Sequence, residues 1–99
     1  MVRVFIADRE SMRKALRALG SGDVVATIDK GSTQFTLSGE NATFVIEGIP
    51  GKATDLISVR VPREDAHFLS EVVDISSETV NISFFSHGHG RLFVNGFLI

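Results

Sequence analysis

The sequence predicts a small α+β domain in which two helices pack on one face of an antiparallel β-sheet. Apolar residues alternate in short runs typical of strands, two longer segments have helical apolar spacing, and the order strand, helix, three strands occurs twice. The chain has 99 residues, of which 43% are hydrophobic. This apolar content is enough for one core, so we expect a single domain over residues 1–99.

The first unit begins with a strand that runs directly into a helix. Alternation places Val2, Val4 and Ile6 on the predicted core side of the strand. Asp8 is expected to cap the helix at its start, and Gly20 is expected to end it. The apolar stripe of this helix consists of Met12, Ala15, Leu16 and Leu19.

Three alternating strands complete the first unit, which spans approximately residues 2–51. Turn sequences at residues 30–32 and 38–41 separate these strands, and the glycines and proline at 48–51 predict a break in the chain. The predicted core residues of the three strands are Val24, Ala26, Ile28, Phe35, Leu37, Phe44 and Ile46.

The same order recurs over approximately residues 55–99. A strand precedes Pro62, which suits the first turn of a helix, and Asn95-Gly96 predicts a tight hairpin turn. The apolar stripe of the second helix consists of Phe68, Leu69, Val72 and Val73. Equivalent elements are separated by a nearly constant number of residues, which indicates internal duplication. Two similar units of independent origin are the alternative.

Two stretches, Phe5 to Met12 and Val59 to Asp65, carry a strand straight into a helix, and each is followed by alternating strands. Together with the repeated order, they resemble one domain of a DNA sliding clamp, the processivity ring of replication. Each domain of that family contains two β-α-β-β-β units, several domains close a ring, and the helices line the DNA channel. The resemblance implies a clamp-like fold and a non-enzymatic function. A clamp subunit holds two or three such domains, so this chain would need several copies or a larger partner.

The charges of the two helices bear on a DNA function, because phosphate contacts require Lys and Arg. The chain has a formal net charge of −2, so DNA binding would need a local basic patch. The first helix is basic and the second is acidic. A solvated helix face is the alternative explanation for the basic residues. The candidate DNA-binding residues are Arg9, Arg13, Lys14 and Arg17.

Several apolar residues fall out of phase with the core series and are predicted to point away from the helices. They would form either a partner surface or a layer covered by a folded-over sheet. The last three residues predict an edge strand that could pair with another copy, or a buried closing strand. The interface candidates are Phe5, Val45, Phe85, Phe93, Phe97, Leu98 and Ile99.

No catalytic site, cofactor or complete metal site is predicted. Phosphate-binding glycine loops and nucleophile motifs do not occur, and the acids near each helix start fit the helix dipole. His87 and His89 could share a face, with His67 as a third ligand, but their interleaved glycines favour a ligand-free turn. The chain has no Cys, no predicted signal peptide and no predicted membrane helix, so we expect a cytoplasmic protein.

Three functional hypotheses follow from the sequence. The first is a clamp-like domain that acts through self-association or protein binding, with DNA as a further partner. The second is a regulatory or immunity-like interaction module without a nucleic-acid role. The third is a small enzyme or ligand-binding protein whose site is assembled from distant residues, with the histidines as titratable groups.

Overall fold

A computed structural model of the chain describes residues 2–20, 22–28, 34–51, 57–85 and 91–99, which form two helices and nine strands. The helices are α1 (Arg9–Leu19) and α2 (Arg63–Asp74). The strands are β1 (Val2–Asp8), β2 (Val24–Ile28), β3 (Phe35–Ser38), β4 (Thr43–Ile46), β5 (Gly48–Pro50), β6 (Ile57–Val61), β7 (Thr79–Phe85), β8 (Arg91–Val94) and β9 (Phe97–Leu98). The predicted α+β class, with two helices packed against antiparallel strands, is confirmed.

The strands form two antiparallel sheets, and not the single sheet expected from the sequence. The five-stranded sheet has the order β5-β1-β7-β8-β9, and the four-stranded sheet has the order β4-β3-β2-β6. The first strand of each half joins the sheet of the other half, because β1 pairs with β7 and β6 pairs with β2. Each sheet therefore contains strands from both halves. An origin by duplication stays a prediction.

One hydrophobic core extends across both sheets and both helices. At its centre the Phe35 ring of the four-stranded sheet contacts two rings of the five-stranded sheet. The ring centroids are 5.3 Å apart for Phe5 and Phe35, and 5.5 Å apart for Phe35 and Phe84. All three side chains are at most 2% exposed. Tilted and edge-to-face rings at these distances stabilise the contact between the sheets beyond simple area burial.

The predicted orientation of β1 is wrong. Phe5 and Ala7 are buried in the core, whereas Ile6 is only partly buried. Both faces of this strand carry apolar side chains, so alternation alone does not determine which face is inside. Burying the larger Phe5 side chain against Phe35 removes more apolar surface from water, and this favours the observed orientation.

The boundaries of α1 agree with those expected from the sequence, and α2 begins directly after Pro62. Asp8 Oδ2 accepts a hydrogen bond of 3.0 Å from the Ser11 amide, and Gly20 ends α1 with a φ of 70°. In α2 the prediction for Phe68 is wrong, because its side chain is 38% exposed while Ala66 is buried. The buried stripe of α2 is centred on Leu69 and its helical neighbours, and Phe68 lies at its edge.

The predicted break at residues 48–51 is also wrong in part, because residues 48–50 form β5 at the edge of the five-stranded sheet. Gly48 opposes Ala7 in the β1 ladder. A Cβ atom at Gly48 would overlap the Ile6 carbonyl oxygen and lie 2.6 Å from the Phe5 ring. A residue without a side chain is therefore required at this approach of β5 to β1.

Two of the predicted turns lie within the described residues, whereas the turn that contains His87 and His89 lies outside them. The predicted turn at 38–41 is present, with a 2.9 Å hydrogen bond from the Gly39 amide to the Ala42 carbonyl. Asn95 and Gly96 form the predicted two-residue hairpin turn, with φ values of 50° and 84°. The turn predicted at 30–32 lies outside the described residues.

Replacing Gly48 with Ala is expected to lower the free energy of unfolding by roughly 1–3 kcal/mol, because the added methyl group must displace backbone atoms of β1. Urea denaturation would measure the change. Glu47→Ala is the matched control, since the Glu47 side chain is exposed and only its backbone bonds to neighbouring residues. Equal stability of the Gly48→Ala variant and the wild type would show that β5 does not approach β1 this closely.

Candidate interaction surfaces

The start of α2 is capped by a residue from the first half of the chain. The preceding residue, Pro62, makes no side-chain capping hydrogen bond. Asp23 Oδ1 instead accepts a hydrogen bond of 3.0 Å from the Arg63 amide, and Asp23 Oδ2 accepts one from the Arg60 guanidinium. A carboxylate at this place satisfies a free amide and interacts favourably with the helix dipole.

The end of α2 is also held by the first half of the chain. Arg9 donates hydrogen bonds from Nε to the Val73 carbonyl at 3.2 Å and from a terminal guanidinium nitrogen to the Asp74 carbonyl at 2.8 Å. The last turn of α2 contains no basic residue of its own. Arg9 therefore supplies the positive charge that a helix C-terminus favours.

Arg13 extends this contact between the helices. Its guanidinium donates to Glu10 Oε1 at 3.1 Å, and its Nε lies 3.2 Å from Asp74 Oδ1 in an ion pair without hydrogen-bond alignment. The four predicted DNA-binding residues are thus divided by the fold. Arg9 and Arg13 are partly buried and bound to acidic or carbonyl groups, whereas Lys14 and Arg17 are exposed.

The predicted interface residues do not form a single exposed set. Phe5 was expected to point away from the helices, and this is wrong because it is 2% exposed in the core. Phe93 is partly buried, and Ile99 packs against the core. The Phe85 side chain lies outside the described part of the structure. The half-exposed candidates are Val45, Phe97 and Leu98, with exposures of 56%, 49% and 50%.

Three exposed apolar residues, Ile49, Phe68 and Ile75, were not among the predicted interface candidates. Phe68 contacts Phe97 edge to face, with ring centroids 6.0 Å apart, and Ile75 is 80% exposed just after α2. The sequence contained a usable signal, because three of the four residues at helical spacing from Phe68 are acids, Glu64, Asp65 and Glu71, while the fourth is Val72. Acids at i−4 and i+3 indicate an exposed helix face, so Phe68 belongs with them.

The strand β9 offers an open sheet edge next to this aromatic pair. The Ile99 amide donates to the Leu92 carbonyl at 2.9 Å, so the amide and carbonyl of Leu98 point away from β8. No described strand pairs with this outer side of β9. The strand β4 is likewise the last strand of its sheet. It contacts α1, and β9 contacts α2 through the Phe97 and Phe68 rings.

A groove of about 650 Å³ lies between the end of α1 and the start of α2. Its walls include apolar Leu16 and Ala66 and the polar side chains of His67 and Ser70. His67 Nε2 lies 3.2 Å from Glu71 Oε1, and no hydrogen bond joins it to Ser70 among the described residues. In this arrangement Ser70 has no oriented base that would activate it as a nucleophile.

No group of three or more potential ligands that could hold a metal ion occurs within the described ranges. His87 and His89 lie outside them, so the metal hypothesis stays a prediction.

No helix in the described part of the chain is long and apolar enough to cross a membrane. Comparisons with protein-family models, curated proteins and solved structures found no match to this chain.

The Asp23 cap gives α2 a pH-dependent component of stability. The hydrogen bonds from the Arg60 side chain and the Arg63 amide lower the pKa of Asp23 below its ordinary value of 3.8. The ionised carboxylate therefore stabilises the fold above pH 3.8, and this contribution is lost as the pH falls through the lowered pKa. Asp23→Asn, which resembles the protonated carboxyl group, is expected to lower the Tm at pH 7.

Thermal unfolding between pH 7 and pH 2.5 would measure this effect. The difference in Tm between the wild type and Asp23→Asn should shrink below pH 3.8. Glu40→Gln is the control, because Glu40 is exposed and has no ion pair among the described residues. A difference in Tm that is constant across the whole pH series would contradict a capping function for the Asp23 charge.

Proposed function

We propose that this chain is a non-enzymatic domain that resembles a DNA sliding clamp and works by association of several copies through the edges of its sheets. The observation that carries the proposal is the open edge of β9, whose Phe97 and Leu98 side chains are half exposed. An unpaired strand offers backbone donors and acceptors to another chain, and exposed apolar side chains add surface for the contact.

The arrangement of the two halves supports this proposal. In each half the third strand after the helix is an edge strand, β4 in the first half and β9 in the second. Pairing β9 of one copy with β4 of the next would join two sheets into one continuous sheet. A contact between unlike surfaces leaves the opposite edges free, so repeated addition either closes a ring or extends a filament.

Contact with DNA phosphates is the second part of the proposal. Arg9 and Arg13 are bound within the protein, so the phosphate contacts would fall to Lys14 and Arg17. In a ring held together by its strand edges alone, these two residues would recur once in each copy and supply the charge that a single chain lacks. A cytoplasmic location stays a prediction from the cysteine-free sequence.

Light scattering over a concentration series would test self-association directly. The wild type is expected to form a discrete multimer, and Leu98→Pro is expected to shift it to the monomer. Proline removes the outward-pointing amide of residue 98 while leaving the inward bond of Ile99 to β8 intact. Leu98→Ala is the matched control, because it also shortens the side chain but keeps the amide. Circular dichroism would establish that all three chains are folded.

A wild type that stays monomeric up to the highest soluble concentration would overturn the proposal and favour the regulatory interaction module. Assembly of both Leu98→Pro and Leu98→Ala at the wild-type level would show that the β9 edge is not part of the contact. Assembly that is weakened equally by both variants would assign the contact to the Leu98 side chain instead of the backbone.

For DNA, Lys14→Glu combined with Arg17→Glu is expected to abolish salt-sensitive association in fluorescence anisotropy with duplex DNA. Conversion of these two residues to Gln should reduce the slope of log K against log salt by about 2 for each copy in contact, because each neutralised phosphate releases its counterions. Arg91→Gln is the control for a change of net charge at an exposed residue. Unchanged binding by the double Glu variant would exclude this face as the DNA contact.

A further inference from the structure

The exposed flanks of the two helices differ in charge. The position of Arg17 in α1 is occupied by Glu71 in α2, whereas the second residue of each helix is a Glu, Glu10 and Glu64. Arg9 and Arg63 are the first residues of α1 and α2. Counted from these residues, Lys14 corresponds to Phe68 and Arg17 corresponds to Glu71. All four side chains are exposed. The two halves therefore share an order of elements but present different chemistry at matching places.

The flank of α1 that carries Lys14 faces β4. Ser11 lies on this flank, three residues before Lys14, and its Oγ accepts a hydrogen bond of 3.0 Å from the Glu47 amide, which directly follows β4. Ala18 continues the same flank and is exposed. One end of the domain thus combines an open strand, β4, with a basic and only weakly apolar helix face.

The flank of α2 that carries Phe68 faces β9, as the contact between the Phe68 and Phe97 rings shows. Glu64, Asp65 and Glu71 surround Phe68 on this helix, and all three are exposed. Among the described residues, Glu64 and Asp65 have no ion pair, and Glu71 pairs only with His67. This end of the domain combines an open strand, β9, with an acidic helix face that carries an exposed aromatic ring.

We propose that the acidic α2 flank around Phe68 docks on the basic α1 flank of a second copy of this chain, so that copies assemble head to tail. Lys14 and Arg17 of one copy would meet Glu64, Asp65 and Glu71 of the next. The Lys14 side chain is also suited to lie over the exposed Phe68 ring. A symmetric contact of α1 with α1, or of α2 with α2, would instead place like charges together.

This inference rests on the proposed self-association and adds its direction and its helix contacts. It is separate from edge pairing, because strands can pair through their backbones whichever charges the helices carry. It also implies that Lys14 and Arg17 of one copy bind either a second copy or DNA, but not both at once. A copy that occupies these residues in a protein contact cannot offer them to phosphate groups.

A charge-reversal experiment tests the direction of assembly. The basic-face variant is Lys14→Glu with Arg17→Glu, and the acidic-face variant is Glu64→Lys with Glu71→Lys. Each variant alone would present like charges at both ends and should raise the dissociation constant at least tenfold, since like charges at a contact cost several kcal/mol. An equimolar mixture should assemble again, because every contact then joins an acidic face to a basic face.

A third chain that carries all four changes should assemble by itself, because it restores opposite charges in the reverse sense. Arg91→Glu combined with Glu78→Lys is the control, since both side chains are exposed and lie on neither flank. Analytical ultracentrifugation at low salt would measure each sample, and circular dichroism would confirm folding. Addition of salt should weaken wild-type assembly.

The outcomes separate this inference from the proposed function. Multimers of the wild type, monomers of each variant and multimers of the mixture would support head-to-tail docking. Multimers that persist in both single-face variants would overturn the docking and leave edge pairing standing. Variants that fail to assemble even when mixed would overturn the direction of the contact. A monomeric wild type would overturn both the inference and the proposed self-association.

Discussion

The structure depends on an exchange of strands between its two halves, in which the first strand of each half joins the sheet of the other half. The strand β1 is the second strand of the five-stranded sheet, between β5 and β7, and β6 is the edge strand of the four-stranded sheet beside β2. Without β1, the five-stranded sheet would lose its hydrogen-bond ladder with β7 and the buried side chains of Phe5 and Ala7. Without β6, the four-stranded sheet would lose its ladder with β2 and the buried side chains of Val59 and Val61. The exchange therefore couples the two halves into a single folding unit with one core, in which Phe35 packs between rings of the opposite sheet.

The same exchange determines how α2 is stabilised. The helix follows β6, which lies beside β2, and this brings Asp23 at the start of β2 to the free amide of Arg63. At the other end, Arg9 follows β1 and reaches the last carbonyls of α2. Both caps come from the first half of the chain. Residues that look available for DNA in the sequence are thereby used to join the helices, which accounts for their partial burial.

The exchange also gives the domain two unlike ends. Each end has an edge strand beside a helix flank, but one flank carries Lys14 and the other carries Phe68 between acids. Related backbone geometry with opposite surface charge is suited to contacts between different ends of identical copies. The groove between the helices lies apart from both edge strands. The residues that line it belong to α1, to α2, and to β2 with the loop before it.

The sequence by itself determined the α+β class, the repeated order of strand, helix and three strands, the limits of α1 and the hairpin turn at Asn95-Gly96. These features depend on local spacing and on conformations that few residues adopt. Only the tertiary structure decided which face of β1 is buried, that residues 48–50 form a strand, and that Arg9 caps a distant helix. These outcomes depend on contacts with residues far along the chain. Because β1 has apolar residues on both faces, alternation alone does not show which of its faces is buried.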